Sequence, residues 1–335
     1  MANTLKAVVI GCGRIGAEFD NDPKRRYVST HVGAYATLKS TELVAVCDMD
    51  KKKAQKCAAR WGVKNVYTDF KKMMSDCAPE VVSICTPPAT HYSVLKEVVK
   101  FQPKAVFCEK PIASSVTEAR KMIELCKKKN IVLQIDHQRR FDKLHAYIKN
   151  MIDRKKFGNV QHVNFYYTAG IKNTGSHMLD LMRFFFGDAK WIEAFYSKTA
   201  EKKKDDPDLD GIIRFKNGLF ATFQGCDVKN YLIFEMNIIF DKARIMLKNS
   251  GFNMECYIVK NSKYFLGYKE LDKDEKFFDT RYKRNFMINA VMEIVSCVKK
   301  KKRSVSSGED GLAALQLIEA AVRSAKNEGK RISIK

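Results

Sequence analysis

The chain has 335 residues and a net charge of +23, with 61 Lys and Arg against 38 Asp and Glu. Apolar residues make up 45% and charged residues 30%, which allows a large buried core and argues against a disordered chain. Every apolar run is shorter than the roughly 18 residues needed to span a bilayer, and the start lacks the pattern of a signal peptide. At roughly 100–200 residues per domain, the length predicts two domains.

The excess positive charge comes from short lysine runs spread along the chain. They lie at Lys51–Lys53, Lys71–Lys72, Lys127–Lys129, Lys202–Lys204 and Lys299–Lys302. Most fall at the polar face or the end of a predicted helix, so we expect a solvated lysine-rich surface. The alternative is attraction for anionic ligands, including phosphorylated small molecules. No nucleic-acid partner is expected, because no zinc finger or recognisable RNA-binding motif is present.

Ten cysteines are scattered through the sequence without a CxxC motif or a Cys/His cluster at zinc spacing, so no metal site is predicted. Several of them lie in predicted core strands, where free cysteine behaves as a small hydrophobe; examples are Cys47, Cys85 and Cys108. This usage fits a reduced compartment better than a disulfide framework. We therefore expect a cytoplasmic protein without a membrane segment.

The first part of the chain alternates buried strand patterns with helical ones. Strands are predicted at 5–10, 42–48, 80–85, 104–108 and 131–135, and helices at about 51–61, 69–76, 90–101 and 115–129. Such alternation indicates right-handed crossovers and a doubly wound parallel sheet. We place this α/β domain at residues 1–136.

The pattern changes after residue 137, and the second domain is predicted to cover 137–335. A helix to about 155 is followed by strand-like runs at 159–168, 190–197, 208–215, 218–225, 231–240 and 243–248, with helices at about 176–186, 281–299 and 309–328. Asn217-Gly218 between two of these runs predicts a hairpin. An α+β domain with a large, mainly antiparallel open sheet is expected, and its last helix is a candidate for packing back on the first domain.

A glycine motif follows the first strand directly: Gly11-Cys12-Gly13-Arg14-Ile15-Gly16. In this GxGxxG pattern Gly11 permits a tight turn, Gly13 lets a pyrophosphate approach the backbone, and Gly16 lets a helix pack on the strand. We expect a helix directly after the motif, with its N-terminus facing the phosphates. The motif therefore predicts a bound dinucleotide.

An acidic residue at the end of the second strand belongs to the same pattern. Asp48 can accept hydrogen bonds from the adenosine ribose and would repel a 2′-phosphate, which favours NAD over NADP; the alternative is an Asp that caps a helix or ends a strand. The spacing from Gly16 is longer than usual because of a polar insertion, Asp20–Thr30. This insertion is either a surface loop or a flap over the cofactor.

A third strand-end motif is Thr86-Pro87, with His91 just inside the next helix. Ligands of doubly wound sheets collect at the carboxyl ends of the strands, so Thr86 and Pro87 are expected beside the cofactor. His91 is either a cofactor contact or a residue of the helix start.

Two further motifs are Glu109-Lys110-Pro111, directly after the strand 104–108, and Gly175-Ser176-His177-Met178-Leu179-Asp180. With the glycine motif, Thr86-Pro87 and the C-terminal segments Ser307–Leu312 and Ala325–Arg331, they resemble the glucose–fructose oxidoreductase / inositol dehydrogenase / MocA family over essentially the whole chain. The resemblance implies a Rossmann domain plus an α/β domain whose open sheet forms homodimers or homotetramers. It also implies hydride transfer between a nicotinamide and a carbinol carbon of a sugar, cyclitol or related molecule.

The resemblance assigns the catalytic roles to Lys110 and His177. Oxidising an alcohol removes a hydride from carbon and a proton from oxygen, so a proton acceptor is required. Lys110 would hydrogen-bond the reacting oxygen, and His177 would act as general base or acid. Asp180 would either orient His177 or pair with a nearby cation. Many relatives carry Asp four residues before this His; Asn173 stands there, which can bind a hydroxyl but cannot take a proton.

Other residues are candidates for substrate contact. Arg139 and Arg140 lie where the two domains join, and one of them binds either a substrate group or an interdomain carboxylate. Tyr166, Tyr167 and Lys172 precede the catalytic helix, although a sheet-surface role is the default for the tyrosines. The expected substrate set is Arg139, Tyr167, Lys172, Asn173 and His177, and the expected cofactor set is Gly11–Gly16, Asp48, Thr86, Pro87, His91, Glu109 and Lys110.

The leading hypothesis is an NAD-dependent dehydrogenase or reductase for a sugar, nucleotide-sugar or cyclitol. One alternative is an NAD-dependent glycosidase of the same fold, in which transient oxidation labilises the glycosidic bond. A second is a cofactor-binding sensor or repressor without catalysis, against which the presence of both Lys110 and His177 argues.

Overall fold

The computed structural model describes residues 4–198, 205–275 and 285–334. The lysine run at 202–204 and the first residues of the helix predicted at 281–299 lie outside these ranges. The chain divides into two compact units: Met1–Asp142 with Lys283–Leu315, and Lys143–Tyr282 with Gln316–Lys335.

The first unit is built on a six-stranded parallel sheet with helices in the crossovers. Its elements are β1 Leu5–Ile10, α1 His31–Thr37, β2 Thr41–Cys47, α2 Lys51–Trp61, β3 Asn65–Tyr67, α3 Phe70–Cys77, β4 Val81–Ile84, α4 Pro88–Val98, β5 Ala105–Cys108, α5 Val116–Lys128 and β6 Val132–Ile135. The strand order is β3-β2-β1-β4-β5-β6. From β1 the chain adds β2 and β3 on one side and then β4, β5 and β6 on the other. The topological switch point between β1 and β4 creates the crevice where doubly wound sheets bind ligands.

The central strands of this sheet are short apolar runs buried on both faces, as a parallel sheet requires, whereas the edge strand β3 has no buried residue. All four residues of β4 and of β5 are buried. Register aligns Ile10 with Ile84 and Ile84 with Cys108, so β1, β4 and β5 end at the same edge. The residues that follow these three strands therefore meet at one edge of the sheet.

The predicted helix directly after the glycine motif is wrong, because the inserted segment interrupts it. One helical turn forms, with the Ala17 amide bonded to the Gly13 carbonyl (2.9 Å), and α1 begins only at His31. The His31 and Val32 amides then bond to the carbonyls of Ile15 and Gly16, at 3.2 and 3.0 Å. The insertion therefore interrupts a helix, and the helical hydrogen bonds continue after it. They do so because carbonyls left without a partner at a helix end need a donor.

The second unit is built on a nine-stranded sheet, which confirms the predicted large, mainly antiparallel sheet. Its elements are α6 Lys143–Asp153, β7 Val160–Thr168, α7 Gly175–Phe186, β8 Ala189–Tyr196, β9 Leu209–Phe215, β10 Phe220–Cys226, β11 Phe234–Phe240, β12 Ala243–Lys248, β13 Asn253–Asn261 and β14 Lys269–Lys273; after α8 Phe286–Lys300 and α9 Gly308–Lys326 comes β15 Ile332–Ser333. The order is β14-β13-β12-β11-β7-β10-β9-β8-β15, antiparallel except between β7 and β10. Buried and half-buried positions alternate along β9–β12, the period of a strand with one face in the core.

The predicted hairpin at Asn217-Gly218 is confirmed, with β9 and β10 antiparallel on either side. Gly218 has a φ of +93°, and the Leu219 amide bonds to the Asn217 side chain at 3.0 Å. Four strands of the described residues were not predicted: β3, β13, β14 and β15.

Helix α8 returns to the first unit and packs against its sheet. Gln134 of β6 donates to the Ala290 carbonyl at 2.9 Å, and Ser306 bonds the Ile135 carbonyl at 2.8 Å. Helix α9 begins in the first unit and ends in the second. Among the described residues, no helix combines the length and apolarity needed to cross a membrane.

Candidate cofactor and active site

The glycine turn after β1 has the shape of a phosphate-binding turn. Gly11 has a φ of +99°, and a Cβ on it would lie 2.7 Å from the Cys85 carbonyl oxygen. A Cβ on Gly16 would lie 2.0 Å from the Gly11 carbonyl oxygen, so the turn closes on itself. At Gly13, by contrast, a Cβ would meet nothing within 4 Å. The turn is therefore packed on two sides and open at the position where a pyrophosphate would approach the backbone.

The remaining residues of the motif have separate roles. Cys12 is buried, and its amide donates to Asp48. Arg14 is exposed and lies over the Phe19 ring at 4.9 Å. Ile15 supplies the carbonyl that accepts from His31. The motif thus offers backbone groups rather than side chains to an anion.

Asp48 lies at the end of β2, beside the glycine turn. Its Oδ2 accepts from the Cys12 amide at 2.7 Å, and its Oδ1 accepts from the Asp50 amide at 2.9 Å. The carboxylate is half-buried. These bonds fix it next to the turn, in the location where the pattern requires a ribose acceptor.

The inserted segment is tied to itself and to α2. Asp20 accepts from the Ser29 amide at 2.7 Å and from the Thr30 hydroxyl at 2.5 Å. Arg60 of α2 donates to the Asn21 side chain at 2.6 Å and to the Asp20 carbonyl. These bonds hold both ends of the segment.

His91 links two of the strand-end turns. It is fully buried; its Nε2 lies 2.8 Å from the Thr86 carbonyl and its Nδ1 lies 3.0 Å from the Pro111 carbonyl. Burial lowers the pKa of His91, while the three backbone carbonyls around it oppose that shift. With both nitrogens facing protein carbonyls, the observed role of His91 is to join the Thr86-Pro87 turn to the turn at Lys110.

The turn after β5 carries the predicted catalytic lysine. The carboxylate of Glu109 points inward, with Oε1 at 2.9 Å from His31 Nε2 and Oε2 accepting from the Lys110 amide at 3.2 Å. Burial raises the pKa of Glu109, and the charge of Lys110 acts against this shift. Glu109 thus fixes the turn from within, and Lys110 follows at the sheet edge.

In the second unit, Lys172 and Asn173 of the predicted substrate set lie on one turn of π-helix, Gly170–Thr174, directly before α7. Asp206 accepts from the backbone amides of Lys172 (2.7 Å) and Asn173 (3.2 Å). Asp208 accepts from the Gly170 amide at 2.7 Å. Burial raises the pKa of Asp206, and the two amide bonds oppose that rise. Two carboxylates therefore hold the turn, leaving the side chains of Lys172 and Asn173 exposed.

Two predicted substrate contacts have different surroundings from those expected. Tyr167 is fully buried in the core of the second unit, and its hydroxyl both donates to and accepts from the Leu209 backbone, at 2.9 and 2.8 Å. Arg140 lies 3.2 Å from Asp310 in a buried ion pair inside the first unit, and donates to the Val305 carbonyl. These two side chains stabilise the fold. Of the neighbouring residues Arg139 and Arg140, Arg139 is the half-buried one.

Sequence reasoning missed the carboxylates and the histidine that hold these turns. His31, Asp136, Asp206 and Asp208 lie far along the chain from the motifs that they support. In the sequence, His31 follows the insertion and Asp136 follows β6, a strand without a motif of its own. Neither residue was therefore part of a recognisable sequence pattern. Asp208 begins the strand predicted at 208–215, and Asp206 belongs to no sequence motif.

Comparison with known proteins agrees with this geometry. Residues 5–137 match a family model described as an oxidoreductase family with an NAD-binding Rossmann fold, and residues 171–334 match that family's C-terminal α/β domain. The chain belongs to the Gfo/Idh/MocA oxidoreductase family. Inositol 2-dehydrogenase of Salmonella typhimurium is 30% identical over 211 residues, which cover 59% of this chain and 59% of that enzyme.

Solved structures share the fold of this family member over nearly its full length. An oxidoreductase from Agrobacterium radiobacter in complex with NAD⁺, L-tartaric acid and magnesium matches with a TM-score of 0.80 at 19% identity, covering 99% of both chains. The WlbA dehydrogenase of Bordetella pertussis, in complex with NADH and UDP-GlcNAcA, matches with a TM-score of 0.79 at 18% identity, covering 99% of both chains. At these identities the likeness concerns the fold.

This family member is therefore an NAD-binding oxidoreductase whose homologues include inositol dehydrogenases. Its own residues fit the cofactor: the open position at Gly13 leaves room for a pyrophosphate, and Asp48 is fixed beside the same turn. The predicted fold class, family and NAD cofactor are confirmed.

Proposed function

We propose that the protein is an NAD-dependent dehydrogenase that acts on a hydroxyl-bearing carbon of a sugar, nucleotide-sugar or cyclitol. The observation that carries this proposal is the position of the Glu109-Lys110 turn. It follows β5 at the edge where β1 ends in the glycine turn, because β1, β4 and β5 end in register. A lysine is thus fixed at the edge of the sheet that binds the dinucleotide.

Lys110 and His177 are assigned the proton chemistry. NAD, when bound, accepts the hydride that leaves the substrate carbon. The ammonium of Lys110 would hydrogen-bond the reacting oxygen and stabilise its developing charge. His177, near the start of α7, would take the hydroxyl proton or return it in the reverse direction. Asn173 would orient a neighbouring hydroxyl, because its amide donates and accepts hydrogen bonds but does not take a proton.

NAD is preferred to NADP in this proposal. The Asp48 carboxylate is fixed by two backbone amides at the end of β2. In that position it would accept hydrogen bonds from the ribose hydroxyls and repel a 2′-phosphate. Thr86 and Pro87 would complete this side of the site from the turn after β4, and His91 holds that turn from inside the protein.

The substrate class follows from the relatives and from the exposed polar residues of the π-helical turn. Inositol 2-dehydrogenase is a cyclitol enzyme by name, and the WlbA structure holds a nucleotide-sugar. Lys172 and Asn173 are exposed on a turn whose backbone is fixed, which suits them to bind hydroxyl or anionic groups of such molecules. Arg139 is the third candidate for substrate contact.

We further propose a cytoplasmic homodimer or homotetramer that associates through the nine-stranded sheet. Its ten cysteines form no disulfide, which is typical of a reducing compartment. Half-buried apolar side chains alternate with core positions along the sheet, including Ile212, Ile239 and Met246. Measuring the molar mass in solution by light scattering tests this assembly.

A substrate panel tests the proposed activity. Nucleotide-sugars, free sugars and inositols are each incubated with NAD or NADP, and reduced nicotinamide is followed by its absorbance. We expect net NADH formation with one class and a slower reaction with NADP. Release of an aglycone without net NADH would indicate the glycosidase instead, and cofactor binding without turnover across the panel would contradict an enzyme of this class.

A further inference from the structure

Three ionisable side chains are buried together inside the first unit. His31 comes from α1, Glu109 follows β5 and Asp136 follows β6; their exposures are 0%, 7% and 2%. One side-chain nitrogen or oxygen of each lies within 4.8 Å of the others. Neither His31 nor Asp136 has a part in the proposed hydride transfer, so this cluster has a different role.

A directed chain of hydrogen bonds enters the cluster through His31. The Tyr35 hydroxyl lies 3.0 Å from Ser83 Oγ, Ser83 Oγ lies 2.9 Å from His31 Nδ1, and His31 Nε2 lies 2.9 Å from Glu109 Oε1. A neutral imidazole has one donor and one acceptor nitrogen. Donation from Ser83 to Nδ1 leaves the Nε2 proton to be donated to Glu109. Burial lowers the pKa of His31 to about 4, which agrees with a neutral ring.

The two carboxyl groups cannot both be ionised in this environment. One carboxyl oxygen of Glu109 and one of Asp136 lie within 4.8 Å of each other in this buried cluster. Burial raises the pKa of both groups, and the charge of Glu109 raises that of Asp136 further, well above its usual range. Glu109 accepts hydrogen bonds from His31 and from the Lys110 amide, which stabilise its ionised form. The proton therefore belongs to Asp136. Like charges this close and this dry would otherwise repel strongly.

The thiols and the phenol close to the pair are neutral, and Lys110 is a cation that acts on it. Burial raises the pKa of the Cys85 and Cys108 thiols well above the usual range, so both are neutral. Burial also raises the pKa of Tyr35 well above its usual range, so its hydroxyl keeps its proton. The charge of Lys110 lowers the pKa of both carboxyls.

We propose that Asp136 holds a proton that it donates to Glu109, and that the resulting His31–Glu109–Asp136 unit is the positioning element for Lys110. Glu109 then accepts from His31, from Asp136 and from the Lys110 amide, and its single negative charge lies one residue from the catalytic ammonium. The unit fixes the backbone of the turn and keeps a counter-charge near Lys110. The part that concerns Lys110 rests on the proposed function, whereas the location of the proton does not.

Infrared spectroscopy of the full chain tests the proton directly, without substrate or cofactor. A protonated carboxyl has a C=O stretching band that a carboxylate lacks. At pH 7 we expect such a band in the wild-type protein, shifted by ¹³C-labelled aspartate and lost in Asp136→Asn. Asp153→Asn, at an exposed carboxyl of α6, is the matched control and should leave it in place. Absence of an aspartate-dependent band, or a stoichiometric divalent metal ion in the purified protein, would overturn the shared proton.

The positioning role is tested with Glu109→Gln, which removes the charge but keeps the size. We expect kcat to fall at least tenfold, the KM for the substrate to change little, and the pH dependence of kcat to shift. NADH binding, followed by fluorescence, should persist and report a folded first unit. Unchanged kcat and pH profile in a variant that binds NADH would overturn the positioning role. Failure to find any substrate would count against the proposed function, while the infrared result would still stand.

Discussion

The two turns that carry the predicted catalytic residues are both held by buried carboxyl groups, but in opposite ways. At Lys110 the carboxyl belongs to the turn itself, since Glu109 reaches inward to His31. At the π-helical turn the carboxylates come from a distant segment, and Asp206 and Asp208 reach the backbone amides of the turn. The first turn is thus anchored through a side chain and the second through its backbone.

Because of this difference, the two turns should respond to different changes. The anchor of Lys110 contains three ionisable groups in a dry environment, so it responds to protonation. The π-helical turn depends on Gly170, which has a φ of +87° and lies directly against Asp206. This turn should therefore respond to a larger side chain at position 170. Both arrangements place reactive side chains on turns and fix them with groups behind.

The largest expected effect comes from the lysine itself. Lys110→Met should lower kcat by roughly 10²–10⁴-fold, because it removes the group that we propose to contact the reacting oxygen. Lys96→Met, at an exposed lysine of α4, is the matched control.

If Lys110 and His177 serve one reaction, Lys110→Met combined with His177→Gln should cost little more than Lys110→Met alone. Losses of kcat that multiply in the double variant would break the link between the two turns.

Gly170→Ala tests the backbone anchor. A Cβ at this position would lie 2.3 Å from Asp206 Cγ at a φ of +87°, so we expect the free energy of unfolding to fall by about 3 kcal/mol. Gly62→Ala is the control, because Gly62 has a φ of +68° with nothing within 4 Å of the added Cβ; it should cost about 1 kcal/mol. Equal losses in urea unfolding would show that Asp206 does not confine the turn.

Lowering the pH tests how much His31 contributes to stability in the cluster that holds the Lys110 turn. Because the pKa of His31 falls from 6.5 to about 4 on folding, its contribution is fully present above pH 6.5 and is lost as the pH falls towards 4. The shift corresponds to about 3 kcal/mol. Denaturant unfolding of the wild type and of His31→Gln should therefore show a difference that shrinks by this amount between pH 7 and pH 4. A difference independent of pH would mean that His31 titrates alike in both states.

The smallest effect is expected for Asp206→Asn. The amide can accept only one of the two backbone bonds now made to Lys172 and Asn173, so the turn should loosen and kcat should fall about tenfold, equivalent to about 1.4 kcal/mol. The neighbouring Asp205→Asn, at an exposed carboxylate, should leave kcat unchanged. Equal activity of the two variants would remove Asp206 from any positioning role.

Much of the cofactor half followed from local patterns. The helix predicted at 51–61 is α2 to the residue, because Asp50 caps its start and Gly62 ends it, and the residues after β1, β4 and β5 were expected at one edge because parallel strands in register end together. The interruption of the helix before α1 was not predicted. Nothing in residues 17–30 indicates that the His31 amide will donate to the Ile15 carbonyl.

The sequence by itself determined the two fold classes, the glycine turn and the family, because these depend on short-range periodicity and on motifs contiguous in the chain. Only the tertiary structure decided which groups hold the reactive turns, and that Tyr167 is a core residue rather than an exposed one. The reason is physical: whether a carboxyl or hydroxyl reacts or supports depends on burial and on partners distant in sequence, such as Asp136 for Glu109 and Asp206 for Lys172, and no local pattern encodes that proximity.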